Sequence, residues 1–367
     1  MELLDCVVIG AGPAGLATSH ELKRQRVSHL VLERGPAIGD CWRNTYDSLR
    51  LHTGKHLSAL PGLRFPHRTP LFPSRDDFVD YLNSYALRRS GPIQLRVQAQ
   101  HIRRVADCWH IETNSGELRA RTLVMATGIM SNPVLPCIEG QDEFQGTIRH
   151  SVEYRRPQPL AGQRVLVLGV GNSGGEIASE LGRHGVAVAI SVRSGANVVP
   201  LTIAGLPTQY LATLVRKLPR GLQLRVVDRI RQRNEARRPP VLPRSTRSPL
   251  DAIPLIGFHL VDAIRDGQVA LRGPMSNFTG NGVRFASGIE EDFDAVIMAT
   301  GFRAALQPMA DWVQIDARGF AERHDRVRSR AHDTLFFVGH NYDSSGGLRN
   351  INRDSRLAAQ QIARRFQ

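Results

Sequence analysis

The chain has 367 residues, 41% hydrophobic and 22% charged, with a formal net charge of +14. That length suits two or three globular units at ~150 residues each, and the composition rules out wholesale disorder. The longest apolar runs, such as Cys6 to Ile9 and Val165 to Leu168, fall far short of the ~20 residues a transmembrane helix needs. No secretory leader is expected, because the first apolar run leads straight into a glycine motif. Cys6, Cys41, Cys108 and Cys137 are too widely spaced for a CxxC pair, a zinc pattern or a disulfide framework. They read as reduced cytoplasmic thiols. Lys23, Lys55 and Lys217 are the only lysines among 48 cations, so the basic balance reflects an arginine bias rather than a surface selected for nucleic acid.

In chain order, Leu4 to Ile9 reads as a strand that runs into Gly10-Ala11-Gly12-Pro13-Ala14-Gly15. A helix follows to about Arg24, and a second strand, Ser28 to Leu32, ends in Glu33. Gly10 permits the tight turn, Gly12 lets a pyrophosphate approach the backbone, and Gly15 lets helix and strand pack closely. The helix N-terminus then offers unpaired N–H groups to phosphate, and Glu33 stands where a carboxylate can accept from an adenosine ribose. Leu123-Val124-Met125 is a buried-type strand that stops at Ala126-Thr127-Gly128.

The same unit recurs further on. Arg164 to Leu168 leads into Gly169-Val170-Gly171-Asn172-Ser173-Gly174, a helix to about Arg183 and a strand from Val186 to Val192. Here Arg193 and Ser194 follow the second strand, with no acid. An acid would repel a 2′-phosphate, whereas arginine can pair with one, so this cradle reads as selecting NADPH over NADH. Residues 205–250 form a basic insert, and between Arg216 and Leu250 eleven cations face two acids, Asp228 and Glu235. Apolar residues from Leu211 to Ile230 recur at near-helical spacing, broken by Pro219 and Gly221, before a proline-rich stretch from Pro239 to Pro249. This predicts a broken helical pair capping the active site, whose basic face can gather an anionic substrate or make weak peripheral contact with anionic lipid. Val296-Ile297-Met298 then precedes a second Ala-Thr-Gly, residues 299–301. Leu335 to Val338 is a last strand meeting Gly339-His340, with a final helix from about Asn352.

The fold class is therefore α/β, with two Rossmann-like dinucleotide-binding domains, one inserted in the other. The expected divisions are 1–155 for the first part of the outer domain, 160–295 for the inserted domain and 296–367 for the remainder. No Ser/His/Asp order, no HExxH metal motif and no carboxylate pair for acid–base work is found, and no metal is expected.

Between the cradles, Phe144-Gln145-Gly146-Thr147-Ile148-Arg149-His150-Ser151-Val152-Glu153-Tyr154 spells FxGxxxHxxxY. In that position it resembles the signature of the class B flavoprotein monooxygenases. Trp42 to Lys55, Leu60-Pro61, Ile253 to Gly267 and Ala299 to Arg303 resemble the plant YUCCA-type members and their bacterial relatives. The resemblance spans nearly the whole chain. It implies that the outer domain holds FAD and the inserted one NADPH, with reduced flavin and dioxygen forming a C4a-(hydro)peroxyflavin that oxygenates a small organic substrate. A YUCCA-type reaction implies chemistry at a carbonyl, either oxidative decarboxylation of a 2-oxo acid or a Baeyer–Villiger step. N- or S-oxygenation and a non-oxygenating NADPH oxidase are the alternatives.

By position, the resemblance assigns Gly10, Gly12, Pro13, Ala14, Gly15, Glu33 and Arg34 to the FAD pyrophosphate and ribose. It places Trp42 and His52 near the isoalloxazine ring, with Thr127 and Gly128 closing one side. Gly169, Gly171, Asn172, Ser173, Gly174 and Arg193 are assigned to NADPH. His52 stands where animal-type members have asparagine, as in the YUCCA-like group. Gly339-His340 occupies a place where many FAD proteins have Gly-Asp. His150, Phe144 and Tyr154 are expected to be structural, packing and tethering the linker. Cys41 has no nearby partner cysteine, which argues against a disulfide reductase.

Overall fold

Leu3–Ile9 lies at the centre of the first sheet, between His29–Glu33 and Gly116–Met125 and parallel to both. The computed structural model describes residues 3–245, 253–343 and 346–367. Ile93–Leu95 extends the parallel run beyond His29–Glu33, and Leu335–Phe337 pairs in parallel with the end of Gly116–Met125. That ten-residue strand serves two kinds of partner. Its first half pairs antiparallel with Cys108–Thr113, which pairs in turn with Ala99–Val105.

Strand periodicity sorts the core. Val8, Val124 and Phe336 point to the face covered by the helices Pro13–Arg24, Arg75–Arg89 and Gly347–Ala363. Their neighbours Val7, Leu123 and Phe337 join Trp109 and Met309 on the other face. The last helix begins at Gly347, five residues earlier than the sequence predicts, because Gly346 turns the chain with a φ of 96°.

The second sheet repeats the plan. Its order is Val269–Arg272, Ala187–Ser191, Arg164–Leu168, Ala295–Met298 and Thr147–His150, all parallel. Helix Asn172–Arg183 packs on it, and a small antiparallel sheet of Met275–Phe278, Gly282–Phe285 and Glu290–Asp292 closes a core around Phe144, Phe278 and Val296.

One compact unit comprises the chain up to Asn44, Ser48–Asn132 and Phe302–Gln367; the other comprises Thr45–Asp47 and Pro133–Gly301. The boundaries thus differ from those read at 155–160 and 295–296. Thr147–His150 and Ala295–Met298 are neighbouring strands of the second sheet, so residues 133–155 and 296–301 go with it. A strand joins the sheet that satisfies its backbone groups, and that partner lies far away in sequence.

The insert forms two helices, Thr208–Val215 and Arg220–Arg237, with the break at Pro219, which starts the second helix. Pro249 and Leu250, the end of the predicted proline-rich stretch, lie outside the described residues.

Candidate nucleotide-binding sites

In the first cradle Gly10 has a φ of 104°, a conformation that favours glycine, and its N–H donates to the Leu32 carbonyl at 2.7 Å. A Cβ at Gly10 would lie 2.7 Å from the Ala126 oxygen, and one at Gly15 only 1.7 Å from the Gly10 oxygen. Ala126, the first residue of the Ala-Thr-Gly turn, is therefore part of the cradle, with its N–H bound to the Ile9 carbonyl at 2.9 Å. Gly12 differs: a Cβ there would meet nothing within 4 Å.

Pro13 opens the helix without a side-chain cap, so the N–H groups of Ala14 and Gly15 have no intrahelical acceptor. Both oxygens of Glu33 hold the loop, accepting from Ala11 N–H and Gly35 N–H at 2.8 Å each. A carboxylate oxygen has a second lone pair, so each keeps capacity for a hydroxyl.

The second cradle repeats the glycine geometry of the first. Gly169 has a φ of 113°, and a Cβ on it would lie 2.6 Å from the Ala299 oxygen. At Gly174 a Cβ would lie 2.1 Å from the Gly169 oxygen, while Gly171 again faces open space. Helix Asn172–Arg183 also lacks a side-chain cap. The Asn172 amide is spent on the protein, donating to the Pro254 carbonyl at 3.1 Å and accepting from Ile256 N–H at 2.8 Å. Arg193 is exposed and makes no ion pair among the described residues.

Residues 7–259 match the family model described as pyridine nucleotide-disulphide oxidoreductase. The chain is 34% identical to indole-3-pyruvate monooxygenase YUCCA8 of Oryza sativa subsp. indica, over 98% of this chain and 91% of that protein. It is 35% identical to the probable indole-3-pyruvate monooxygenase YUCCA1 of Arabidopsis thaliana, over 84% of this chain and 77% of the relative. The chain belongs to the class B flavoprotein monooxygenases. In fold it matches the flavin-containing monooxygenase from Stenotrophomonas maltophilia with a TM-score of 0.81 and 24% identity, over 100% of both chains.

This flavoprotein monooxygenase is an oxidoreductase whose cofactors are FAD and NADPH, acting with oxygen on a small-molecule substrate. Its residues fit two dinucleotides. Each cradle combines an open glycine, a tightly packed glycine and a helix end with no side-chain cap among the described residues, the arrangement a pyrophosphate completes. The four cysteines are free thiols, with Cys6 and Cys108 buried. Among the described residues no helix of the monooxygenase is long and apolar enough to cross a membrane.

The remaining predicted residues divide between surface and core. Arg34 is exposed, and Gly128 takes a φ of 64° beside Thr127, whose hydroxyl donates to the Ala305 carbonyl at 2.6 Å. Trp42 is half-buried and packs edge-on against Phe78, ring centroids 4.6 Å apart, so part of its indole belongs to the core. His52 is half-buried on the segment between Leu51 and Thr53.

In the signature, the buried His150 ring bridges two backbone groups. Nε2 lies 3.1 Å from the Gly301 carbonyl and Nδ1 accepts from Val152 N–H at 3.2 Å. Burial lowers its pKa, which keeps it neutral in this tethering role. Tyr154 donates to Glu180 at 2.8 Å, and Tyr46 donates to Glu176 one turn earlier on the same helix. Tyr46, Glu176 and Glu180 carry no local signal in the sequence, since their partners are distant along the chain. Burial and the neighbouring carboxylates raise both phenols, which therefore stay protonated donors. The Gly339-His340 pair sits with Gly339 against Ala14, but the His340 ring packs between Phe320 and Phe337.

Proposed function

We propose that this enzyme uses NADPH and FAD to insert one atom of dioxygen into a small substrate at a carbonyl, with a 2-oxo acid as the leading class. The duplicated cradle carries the reading: two dinucleotide sites in one chain, the first with the acid Glu33 and the second with the exposed Arg193. We assign Gly10, Gly12, Pro13, Ala14, Gly15, Glu33 and Arg34 to FAD pyrophosphate and ribose. Trp42, His52, Thr127 and Gly128 are assigned to the surroundings of the flavin ring. Gly169, Gly171, Ser173 and Gly174 hold the NADPH pyrophosphate, and Asn172 contributes its backbone N–H while its side chain braces residues 254–256. Arg193 pairs with the 2′-phosphate.

When bound, the flavin takes a hydride from NADPH and activates dioxygen, so that one oxygen atom reaches the product and the other leaves as water. With a 2-oxo acid the products are the shortened carboxylic acid, carbon dioxide, NADP and water. The chain's own contribution is binding, orientation and exclusion of water. The carbonyl preference is supported by the likeness to proteins named for indole-3-pyruvate, together with our assignment of His52 to the flavin side. We place its action in the cytoplasm, where its four free thiols stay reduced.

The test is oxygen-isotope incorporation from labelled dioxygen across a panel of 2-oxo acids, ketones, amines and sulfides. Label in a decarboxylated acid is expected; label only in N- or S-oxides overturns the carbonyl reading, and NADPH consumption with no labelled product overturns oxygenation. Arg193→Ala should raise KM for NADPH about tenfold or more while leaving KM for NADH nearly unchanged. Equal changes for both would remove Arg193 from the 2′-phosphate.

A further inference from the structure

The helix Arg220–Arg237 buries none of its residues, yet its charges are strongly ordered. Arg225, Arg229, Arg233 and Arg237 follow one another at four-residue spacing, all exposed, and none forms an ion pair with a described residue. At 1.5 Å per residue they make one row roughly 18 Å long on one side of the helix. Both acids of the helix are spent elsewhere: Asp228 pairs with Arg231 at 3.0 Å and Glu235 with Arg244 at 2.9 Å, and each is half-buried. Arg238, next along, is held by Asp262 at 2.8 Å. Like charges at this spacing repel each other, so the row is destabilising unless an anionic surface faces it.

A second observation separates the anions that suit it. Around the turn into the same helix, Leu214, Leu218 and Leu222 are 60%, 39% and 48% exposed. Nucleic acid offers phosphate for the arginines and little for three leucines. An anionic bilayer offers both, headgroup charge for the guanidinium row and acyl chain for the leucines at its end.

We propose that the Arg220–Arg237 helix and the leucine-bearing turn before it dock this monooxygenase peripherally on an anionic phospholipid surface. The row lies flat along the headgroups and the turn dips below them. Charge supplies most of the attraction and the leucines supply depth, so binding weakens with salt and with loss of either element.

The experiment is cosedimentation of the holoenzyme with vesicles of phosphatidylcholine alone or with about 30% phosphatidylglycerol, at about 0.1 M and about 0.5 M salt. Binding is expected to the anionic vesicles only, and less at the higher salt. The quadruple variant R225Q/R229Q/R233Q/R237Q should lose affinity on the order of several hundredfold, with an unchanged flavin spectrum and an unfolding midpoint equal to or above the parent's, since the repulsion within the row is gone. The matching arginine-to-lysine variant keeps the charge and should retain binding, which separates loss of charge from loss of fold. L218S/L222S should bind severalfold more weakly. Equal binding to neutral and anionic vesicles overturns the proposal, as does full binding by the quadruple glutamine variant. An unaffected L218S/L222S together with tighter binding to duplex DNA than to vesicles overturns it in favour of a nucleic-acid partner.

Discussion

A methyl group at Gly15 would sit 1.7 Å from the Gly10 carbonyl oxygen, whereas one at Gly12 would meet no protein atom within 4 Å. The fold thus demands glycine at position 15, whereas no described protein atom demands it at position 12, where we propose that the pyrophosphate lying over the loop does. Gly15→Ala must push helix from strand and should cost about 1–3 kcal/mol, lowering the unfolding midpoint by several degrees. Gly12→Ala should keep the midpoint of the flavin-free protein and reduce only the flavin retained on purification.

His340 makes a separate point at the same scale. Its ring is buried among Phe320 and Phe337, and neither nitrogen meets a hydrogen-bond partner among the described residues. Burial, with Arg323 nearby, lowers its pKa from 6.5 to about 3. Between those values the unfolded chain holds a proton that the folded one refuses. The stability from neutral His340 is complete above 6.5 and is lost as the pH falls toward the folded value. On going from about pH 7.5 to about pH 5.5, His340→Leu should lose less stability than the parent by on the order of 1 kcal/mol, read from denaturant midpoints. A parallel loss in both proteins would assign the acid sensitivity to other groups.

Elements show how local rules and distant contacts share the work. Helix Arg75–Arg89 starts with a reciprocal cap: Asp77 N–H donates to Ser74 Oγ at 3.1 Å, and Ser74 N–H donates to the Asp77 carboxylate at 3.0 Å. Ser74→Ala should cost about 1 kcal/mol, visible as a midpoint shift without change in bound flavin. Such a start is written in adjacent residues. The double service of Gly116–Met125 is not, because its two halves pair with strands on opposite sides of it in the chain, Cys108–Thr113 before and Leu335–Phe337 after. The same holds for Asn172. Its place in a glycine motif pointed to a ligand, but its amide closes on residues 254–256, more than eighty positions away.

For the whole molecule, each unit carries its own cradle and its own core. Mutations in one cradle should leave the other working. Gly171→Ala, which adds a methyl into open space, should weaken nicotinamide-nucleotide binding by titration while flavin content at purification stays at the parental level. Loss of both together would mean that the cradles are not separable.

The α/β class, the duplication and the positions of both glycine motifs were legible in sequence, because left-handed turns and backbone contact at van der Waals distance admit almost no residue but glycine. The helix break at Pro219 was legible for a similar reason, since proline lacks the N–H that a helix interior needs. Tertiary structure alone decided which sheet takes Thr147–His150 and Ala295–Met298, why each Ala-Thr-Gly belongs to a cradle, and that Tyr46 and Tyr154 meet glutamates one helical turn apart. It also decided which arginines of the basic insert are neutralised by a carboxylate and which form an exposed row. Local backbone sterics act between neighbours in the chain, whereas strand pairing, buried hydrogen bonds and charge neutralisation are settled by groups that only folding brings together.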